Sequence, residues 1–521
     1  MAFNSVEYAI FFAVVFLAFW SLRRHHRVRT LLVVLASAWF YTRFDYGPGH
    51  RWLGWIYLGV LFTSAAIDFV LARAIHRVDA HAGLDAASAA RRRTQLMVLS
   101  VVYNLGVLVW FKYTNFGIDM AREALAACGI HMNSRALNVI LPIGISFFTF
   151  ETMSYTIDVY RRELVPADSF LEYLLFISFF PHLVAGPIIR PKDMLPQLRA
   201  DPRLEGPIDA NGDARGDAFG AGSLTGALLG DRGSRGLFLV ACGLLKKVVI
   251  ADYLALNLVD RVFDRADWFS GPEVLAGVYG YALQIYCDFS GYTDIAIGSA
   301  LLLGYVLPKN FDSPYRSTSL QEFWRRWHIS LSSWLRDYLY VPLGGSRGGP
   351  WKTYRNLMIT MVLGGLWHGA SWNFVLWGAM HGGALAATRM WQRWRARRAG
   401  VRESDLPADR PLVALLKAAL TFHYVCLAWV FFRAQDFRGA VGILRQLGRG
   451  GAHVDNLSRG VVLCLLVGFA THWLPERWFE RVRDGFVRLP AVAQGGVLFG
   501  VALVLREVAT SAVVPFVYFQ F

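Results

Sequence analysis

Two histidines in apolar surroundings are the residues of this sequence best placed to do chemistry. His368 lies in Leu363-Gly-Gly-Leu-Trp-His368-Gly-Ala-Ser-Trp-Asn373, a stretch apolar enough to sit at membrane depth, where an ionisable side chain is costly and marks function by default. Gly364, Gly365 and Gly369 leave the backbone beside it open to close approach by another helix or by a substrate. The alternative is helix packing through small residues around a buried polar histidine. His328 lies forty residues earlier, in Phe323-Trp-Arg-Arg-Trp-His-Ile-Ser-Leu-Ser-Ser-Trp-Leu-Arg-Asp-Tyr338. At helical spacing Trp324, His328, Leu331, Leu335 and Tyr338 form one stripe while Arg325, Ser332, Ser333 and Arg336 point elsewhere. The expectation is one amphipathic helix at the membrane surface with a histidine on its apolar face; the alternative is a core histidine satisfied by one hydrogen bond. Such a pair can activate a hydroxyl for attack on an acyl group with neither metal nor covalent cofactor.

Other polar positions in apolar stretches carry less. Asp288 and Asp294, six residues apart, fall on different faces of a helix and make a poor general acid/base pair, so they read as caps or packing contacts, with Asp288 a candidate for the cavity wall. His182, in Pro181-His-Leu-Val-Ala-Gly-Pro187, is a second candidate for that wall, with Trp324 and Asn373 beside the two motifs. His423 and His472 lack a partner motif and read as structural. The five cysteines, at 128, 242, 287, 426 and 464, show no Cys-x-x-Cys spacing, so no metal site is expected. A phosphate-cradling Gly loop, a Gly-x-Ser-x-Gly elbow and a dinucleotide fingerprint are absent from the sequence.

The elements that must hold these residues are membrane helices. Of 521 residues 55% are apolar or aromatic and only 17% charged, against roughly 25% charged in an ordinary soluble protein, which excludes an ordinary cytosolic enzyme. The net charge of +15 sits in short basic runs between apolar stretches, where it orients spans and faces anionic headgroups rather than nucleic acid. Candidate spans lie near 7–22, 30–44, 52–72, 95–115, 137–157, 237–258, 273–304, 356–376, 377–391, 411–432, 459–474 and 491–514. The first reads as a retained span, since its basic cluster follows it. Arg23, Arg24, Arg27, Arg29 and the Arg91 to Arg93 run belong inside under the positive-inside rule, which puts both termini outside. The same alternation puts 161–236, 305–355 and 391–410 inside. Residues 201–236 read as a cytoplasmic Gly-rich loop. Pro181, Pro187 and Pro191 make 170–189 re-entrant or interfacial rather than a clean span. No internal repeat is visible, which weakens the case for a transporter built from paired halves.

Leu141-Pro-Ile-Gly-Ile-Ser-Phe-Phe-Thr-Phe150, Ser154-Tyr-Thr-Ile-Asp-Val-Tyr160, the Pro181 to Pro187 segment, the helix of His328, Tyr340-Val-Pro-Leu-Gly-Gly345 and Gly365-Leu-Trp-His-Gly369 resemble the membrane-bound O-acyltransferases, most of all their bacterial alginate O-acetyltransferase branch. The resemblance implies one all-α membrane domain over 1–521, a polytopic bundle of about 11–13 membrane segments with re-entrant or interfacial helices around a central cavity. Within it 305–355 supplies cytoplasmic amphipathic helices carrying His328, 356–376 the span carrying His368, and 515–521 an extracytoplasmic aromatic tail. It implies that His368 is the buried catalytic histidine and His328 its second active-site residue. It implies acetyl-coenzyme A as donor substrate with no bound cofactor, a periplasmic acetyltransferase partner acting on a polysaccharide such as alginate, and a bacterial inner membrane.

Arg325, Arg326, Lys246 and Lys247 are the candidate contacts for donor phosphates, beside a plain positive-inside role. In Pro515-Phe-Val-Tyr518-Phe-Gln-Phe521, Tyr518 reads either as an interfacial belt residue or as an acyl relay, the latter because the tail resembles the tyrosine-containing terminus of the small peptide that accompanies teichoic-acid D-alanylation. The rivals are peptidoglycan O-acetylation, teichoic-acid D-alanyl transfer by the same fold, and, from another class, a transporter for the polysaccharide or the acyl donor.

Overall fold

Apolar runs with no strand period fold here as helices, and no β-strand occurs among the described residues. The computed structural model describes residues 1–521 apart from 45, 48, 81–84, 132–138, 185, 200–223, 450, 452, 509–515 and 517–521. The chain forms two compact units, Met1–Ala241 with Thr293–Pro308, and Cys242–Tyr292 with Lys309–Phe521.

In the first unit α1 (Val6–Ser21) starts where Ser5 accepts the Tyr8 N–H at 3.1 Å, and α2 (His26–Thr42) follows. Helices α3 (Leu53–Ala80), α4 (Ala86–Ala127) and α5 (Ile145–Tyr160) pack on one another. Between them lies a polar cluster: Asp68 accepts from Ser100, from Asn104 Nδ2 at 2.7 Å and from Thr156 Oγ1 at 3.2 Å, and Thr152 Oγ1 donates to Asn104 Oδ1 at 2.9 Å. Pairing is obligatory there, because each unsatisfied polar group in hydrocarbon costs several kcal/mol.

Helix α6 (Phe170–Ser178) has nine residues, a rise of about 13 Å that cannot cross a core of about 30 Å. The buried, irregular chain after it is tied down polar group by polar group. Phe180 N–H donates to Ser37 Oγ at 3.1 Å and Ile189 N–H to Glu151 Oε1 at 3.0 Å. His182 faces Glu151 Oε1 through Nδ1 at 3.2 Å and the Phe176 carbonyl through Nε2 at 3.1 Å. The segment around Pro181 and Pro187 is thus no clean span, as the prolines require, and α7 (Pro191–Arg199) follows it.

The loop expected over 201–236 is corrected in its described part, since α8 (Leu224–Leu229) and the start of α9 (Asp231–Leu244) are helical. The glycines taken for loop formers are packing glycines: a Cβ on Gly233 would lie 2.3 Å from the Ala227 carbonyl oxygen, and one on Gly236 2.9 Å from that of Gly298. Residues 200–223 lie outside the described residues.

The second unit begins with a π-helical turn, Leu245–Asp252, then α10 (Asp260–Asp264) and α11 (Gly271–Leu302), whose residues from 293 on belong to the first unit. Next come α12 (Leu320–Arg326), α13 (Ile329–Leu335), α14 (Pro350–His368), α15 (Trp372–Ala399) and α16 (Pro411–Arg433). Helices α17 (Phe437–Leu447), α18 (Arg459–Trp473), α19 (Glu476–Val487) and α20 (Ala491–Val508) complete it. Its interior is aromatic, with Trp327, Trp377, Trp429, Tyr281 and Tyr315 fully buried.

Among the described residues four helices, over Leu53–Val78, Ala86–Ala127, Pro411–Arg433 and Ala491–Val508, are each long and apolar enough to cross a membrane, and Val6–Ser21 and Arg459–Trp473 are shorter apolar helices. On α16, Leu412, Leu416 and Leu420 are 67%, 62% and 73% exposed. Such a row is unfavourable against water and natural against lipid tails. The chain is an all-helical membrane protein.

Candidate active site

His328 does not ride on a continuous helix. The expected helix over 323–338 is broken: α12 ends at Arg326, α13 starts at Ile329, and His328 between them takes the left-handed conformation, φ +42° and ψ +57°. The cause is a strand of chain eighteen residues upstream that takes over the ladder. Asp312 N–H donates to the Arg326 carbonyl and Ile329 N–H to the Asn310 carbonyl, both at 2.9 Å. Asn310 Oδ1 also accepts Ser330 N–H at 3.1 Å and Ser330 Oγ at 2.9 Å.

This fixes the state of the imidazole. A backbone N–H only donates, so the Asn310 atom it meets is the oxygen, and His328 Nδ1, 3.2 Å from that oxygen, carries the proton. Nε2 is left as the acceptor nitrogen. The ring is fully buried, edge to face with Phe289 at 4.6 Å, and burial pushes its pKa down to about 3, so it stays neutral. The stripe is otherwise real, with Trp324, Leu331 and Leu335 buried.

His368 is the last residue of α14. The span expected over 356–376 therefore ends eight residues early: Gly369 is extended, and Ser371 caps α15 by accepting the Asn373 N–H at 3.2 Å. The glycines serve close helix packing. A Cβ on Gly365 would lie 2.2 Å from the Phe374 carbonyl oxygen and one on Gly378 2.4 Å from that of Met361, so α14 and α15 touch backbone to backbone. That closeness walls His368 with rings: Trp367 at 5.0 Å, Trp377 at 5.1 Å, Phe432 at 5.1 Å and Phe374 at 6.5 Å. His328 lies 6.4 Å from the same Trp367. The two histidines thus meet at one indole.

The remaining candidates divide. Arg325 is exposed and lines a cavity of about 1510 Å³ formed by α12, α15, the chain after α15 and α16. Six further cations line it, Arg389, Arg393, Arg395, Arg397, Arg402 and Lys417, against two carboxylates, Glu403 and Asp409. Glu403 pairs with Arg389 at 3.0 Å and Arg393 at 3.3 Å, and Asp409 with Arg395 at 3.3 Å and Lys417 at 2.5 Å. Arg325 and Arg397 have no carboxylate partner among the described residues. Apolar side chains also line it, among them Leu320, Ala384, Ala387, Trp391 and Leu406.

Lys247 is a correction. It is buried and paired with Asp288 at 2.7 Å and Asp252 at 2.6 Å, so it cannot reach a donor phosphate, and Asp288 is an ion-pair partner rather than an open wall. The π-helical turn makes this possible, since i to i+5 neighbours share a face in it. Arg326 is likewise held, by Glu322 at 2.9 Å and Asp312 at 3.4 Å. Lys246 sits 6.0 Å over the Tyr286 ring. Asn373 Nδ2 donates to the Ala434 carbonyl at 3.0 Å, joining α15 to the end of α16, and His182 belongs to the first unit with Glu151. His423 and His472 are structural as read: His423 Nε2 meets Tyr279 Oη at 2.7 Å, and His472 Nε2 accepts the Tyr315 N–H at 3.1 Å. Tyr518 lies outside the described residues. Phe516 is the described residue of the tail, packed on Phe289 at 5.5 Å and Tyr292 at 4.6 Å. One buried histidine escaped the sequence reading: His381, at i+4 from Trp377, accepts the Trp324 indole N–H on Nδ1 at 3.2 Å. The His381-Gly-Gly run inside an apolar stretch was its signal.

The family model for MBOAT, the membrane-bound O-acyltransferase family, matches residues 161–431. A Pseudomonas aeruginosa protein named "probable alginate O-acetylase AlgI" is 38% identical over 90% of this chain and 79% of its own length. A Helicobacter pylori peptidoglycan O-acetyltransferase is 34% identical over 82% of this chain and 76% of its own length. A Bacillus subtilis teichoic acid D-alanyltransferase is 26% identical over 58% and 70%.

Proposed function

This chain belongs to the membrane-bound O-acyltransferase family and is an O-acyltransferase, and from that premise we propose that it takes acetyl groups from acetyl-coenzyme A on the cytoplasmic side and delivers them across the inner membrane for O-acetylation of a secreted polysaccharide such as alginate. One observation carries the reading: His328 and His368 meet at the Trp367 indole in a dry aromatic setting, in the same unit as the cationic cavity. The cavity exceeds the roughly 300–1,000 Å³ of a drug-sized site. Its unpaired arginines suit phosphates and its uncharged lining suits an uncharged arm.

The chemistry follows from the residues. An acceptor hydroxyl oxygen attacks the thioester carbonyl carbon while His368 takes the hydroxyl proton. The C–O bond forms, the carbonyl π pair moves onto oxygen, and collapse breaks the C–S bond. The proton then passes from His368 to the departing thiolate, giving the acetyl ester and free coenzyme A. His328, neutral and proton-bearing at Nδ1, offers Nε2 as an acceptor that orients the hydroxyl. With the termini outside, the acceptor hydroxyl of this step is the Tyr518 phenol, which holds the acetyl group as an aryl ester until a hydroxyl of the periplasmic acetyltransferase partner attacks it, takes the acetyl group and returns its proton to the phenolate. Phe516, packed on the Phe289 ring that touches His328, supports a tail anchored near the site.

The test is transfer of labelled acetyl from acetyl-coenzyme A to alginate, peptidoglycan fragments or the C-terminal peptide by the purified protein in lipid nanodiscs. Polymer label names the acceptor. Donor uptake without covalent transfer would support a transporter and defeat the proposal.

A further inference from the structure

The face of α15 beside His368 holds two buried N–H groups that nothing receives. Trp377 Nε1 and His381 Nε2 are enclosed, and neither has an acceptor in hydrogen-bond reach among the described residues. Chemistry fixes the state of His381. An indole N–H only donates, Trp324 gives its own to His381 Nδ1 at 3.2 Å, and so the neutral ring carries its proton on Nε2. An orphaned buried donor costs about 1–3 kcal/mol, and native structures rarely carry one without a use for it.

Position supplies the use. Residues 377 and 381 are i and i+4, so they share one face of the helix, as do Ala384 and Thr388 further along. At one end Trp377 stands edge-on to His368 at 5.1 Å. At the other, Ala384 and Thr388 line the cationic cavity, as does Tyr424, whose ring is 6.4 Å from that of His381. Trp377 and His381 also pack on each other at 4.6 Å. A donor with its phosphates among the arginines and its thioester at His368 runs along this face.

We infer that Trp377 Nε1–H and His381 Nε2–H receive the thioester carbonyl oxygen and hold the negative charge it gains on attack. This rests on the donor reading given above. In the step, His368 removes the hydroxyl proton, the carbonyl π pair becomes a lone pair on the oxygen held by these two N–H groups, and that pair returns to the carbon as the thiolate leaves. Donors fixed before the reaction in a water-poor site need no reorganisation, which is where such stabilisation is largest.

Infrared difference spectra of carbonyl-labelled acetyl-coenzyme A, bound to the His368→Ala protein so that it does not turn over, read the contact directly. The carbonyl stretch should move to lower frequency on binding. The move should shrink with either Trp377→Phe or His381→Phe added and largely return with His381→Gln, which keeps one N–H and one acceptor. In the otherwise native protein, Trp377→Phe and His381→Phe should each lower kcat by about 10²- to 10³-fold with little change in KM for acetyl-coenzyme A. If His381→Phe fails to fold, Trp377→Phe and His381→Gln decide alone. Binding with an unshifted carbonyl, or a shift that survives both Phe variants, overturns this assignment and leaves the donor reading standing. Failure of acetyl-coenzyme A to bind overturns the donor reading, and the assignment with it.

Discussion

Replacing His328 by Asn, Ala and Gly separates the chemistry of its ring from the backbone that holds it. The residue sits at φ +42°, where an alanine pays about 1–2 kcal/mol, glycine nothing in steric terms, and asparagine less than other side chains. Loss of the buried ring adds a packing penalty common to Ala and Gly, on the order of 2–5 kcal/mol. Asn310 Oδ1 keeps its two Ser330 donors in every variant, so that oxygen is not orphaned. The Gly variant should therefore be about 1–2 kcal/mol more stable than the Ala variant, a few degrees in Tm for a chain this size. Turnover should rank differently: the Asn side chain offers an acceptor oxygen, whereas Ala and Gly should both lose about 10²-fold or more. Tryptophan-fluorescence melts in detergent give the first order and labelled-acetyl transfer the second. Turnover that follows stability, with Gly best, would reduce His328 to a filler. The pH dependence has a definite sign. Burial holds the folded pKa near 3 against an ordinary 6.5, so between those values the unfolded chain binds a proton that the folded chain refuses. Stability from this group is full above about 6.5 and is lost as pH falls toward 3. The Asn variant lacks that slope, so its Tm should gain on the native protein as the medium is acidified.

Other outcomes follow from the same geometry. His368→Ala should abolish acetyl transfer, a loss of about 10²- to 10⁴-fold or more, while the melt and donor binding persist; native turnover in a folded variant would defeat its role as base. Arg325→Gln with Arg397→Gln should raise KM for acetyl-coenzyme A and flatten its dependence on salt with kcat nearly intact, measured by initial rates at several ionic strengths. Lys247→Met leaves Asp252 and Asp288 facing each other without their cation, and should destabilise the protein by about 3–5 kcal/mol, seen as a lower Tm, with Asp288→Asn milder. Tyr518→Phe should stop acetylation of the final polymer while donor binding continues, and mass spectrometry of the C-terminal peptide should find acetyl on the native protein alone.

The helices and the two histidines were legible because their signals are local. Hydropathy placed α1, α2, α16 and α18 within a few residues, and periodicity marked the apolar stripe of Trp324, Leu331 and Leu335. What escaped depends on partners far away in the chain. The break at His328 is made by Asn310 and Asp312, and without them the periodicity of 323–338 reads as one unbroken helix. Lys247 looked like a phosphate contact because Asp288 is invisible to any window around it. The cationic cavity draws its arginines from three separate segments. His381 was overlooked because its significance lies in what Trp324 does to its tautomer, a fact of geometry with no trace in spacing. Asp68 escaped for the same reason, its four partners lying 32 or more residues away.

The ion pair between Lys247 and Asp288 also bears on how the protein is made. The 41 positions that separate them take a ribosome roughly 2–8 s to translate. During that interval the lysine has only Asp252, five residues on, to neutralise it. Each charge costs about 2.5–3.5 kcal/mol to embed at membrane depth, so a segment holding Lys247 and Asp252 gains a reason to wait at the translocon until α11 emerges. Lys247 then enters between Asp252 and Asp288 as one cluster. Nascent chains arrested before and after Asp288 should accordingly differ in how firmly residues 237–258 are embedded, as read by glycosylation or cysteine-accessibility mapping.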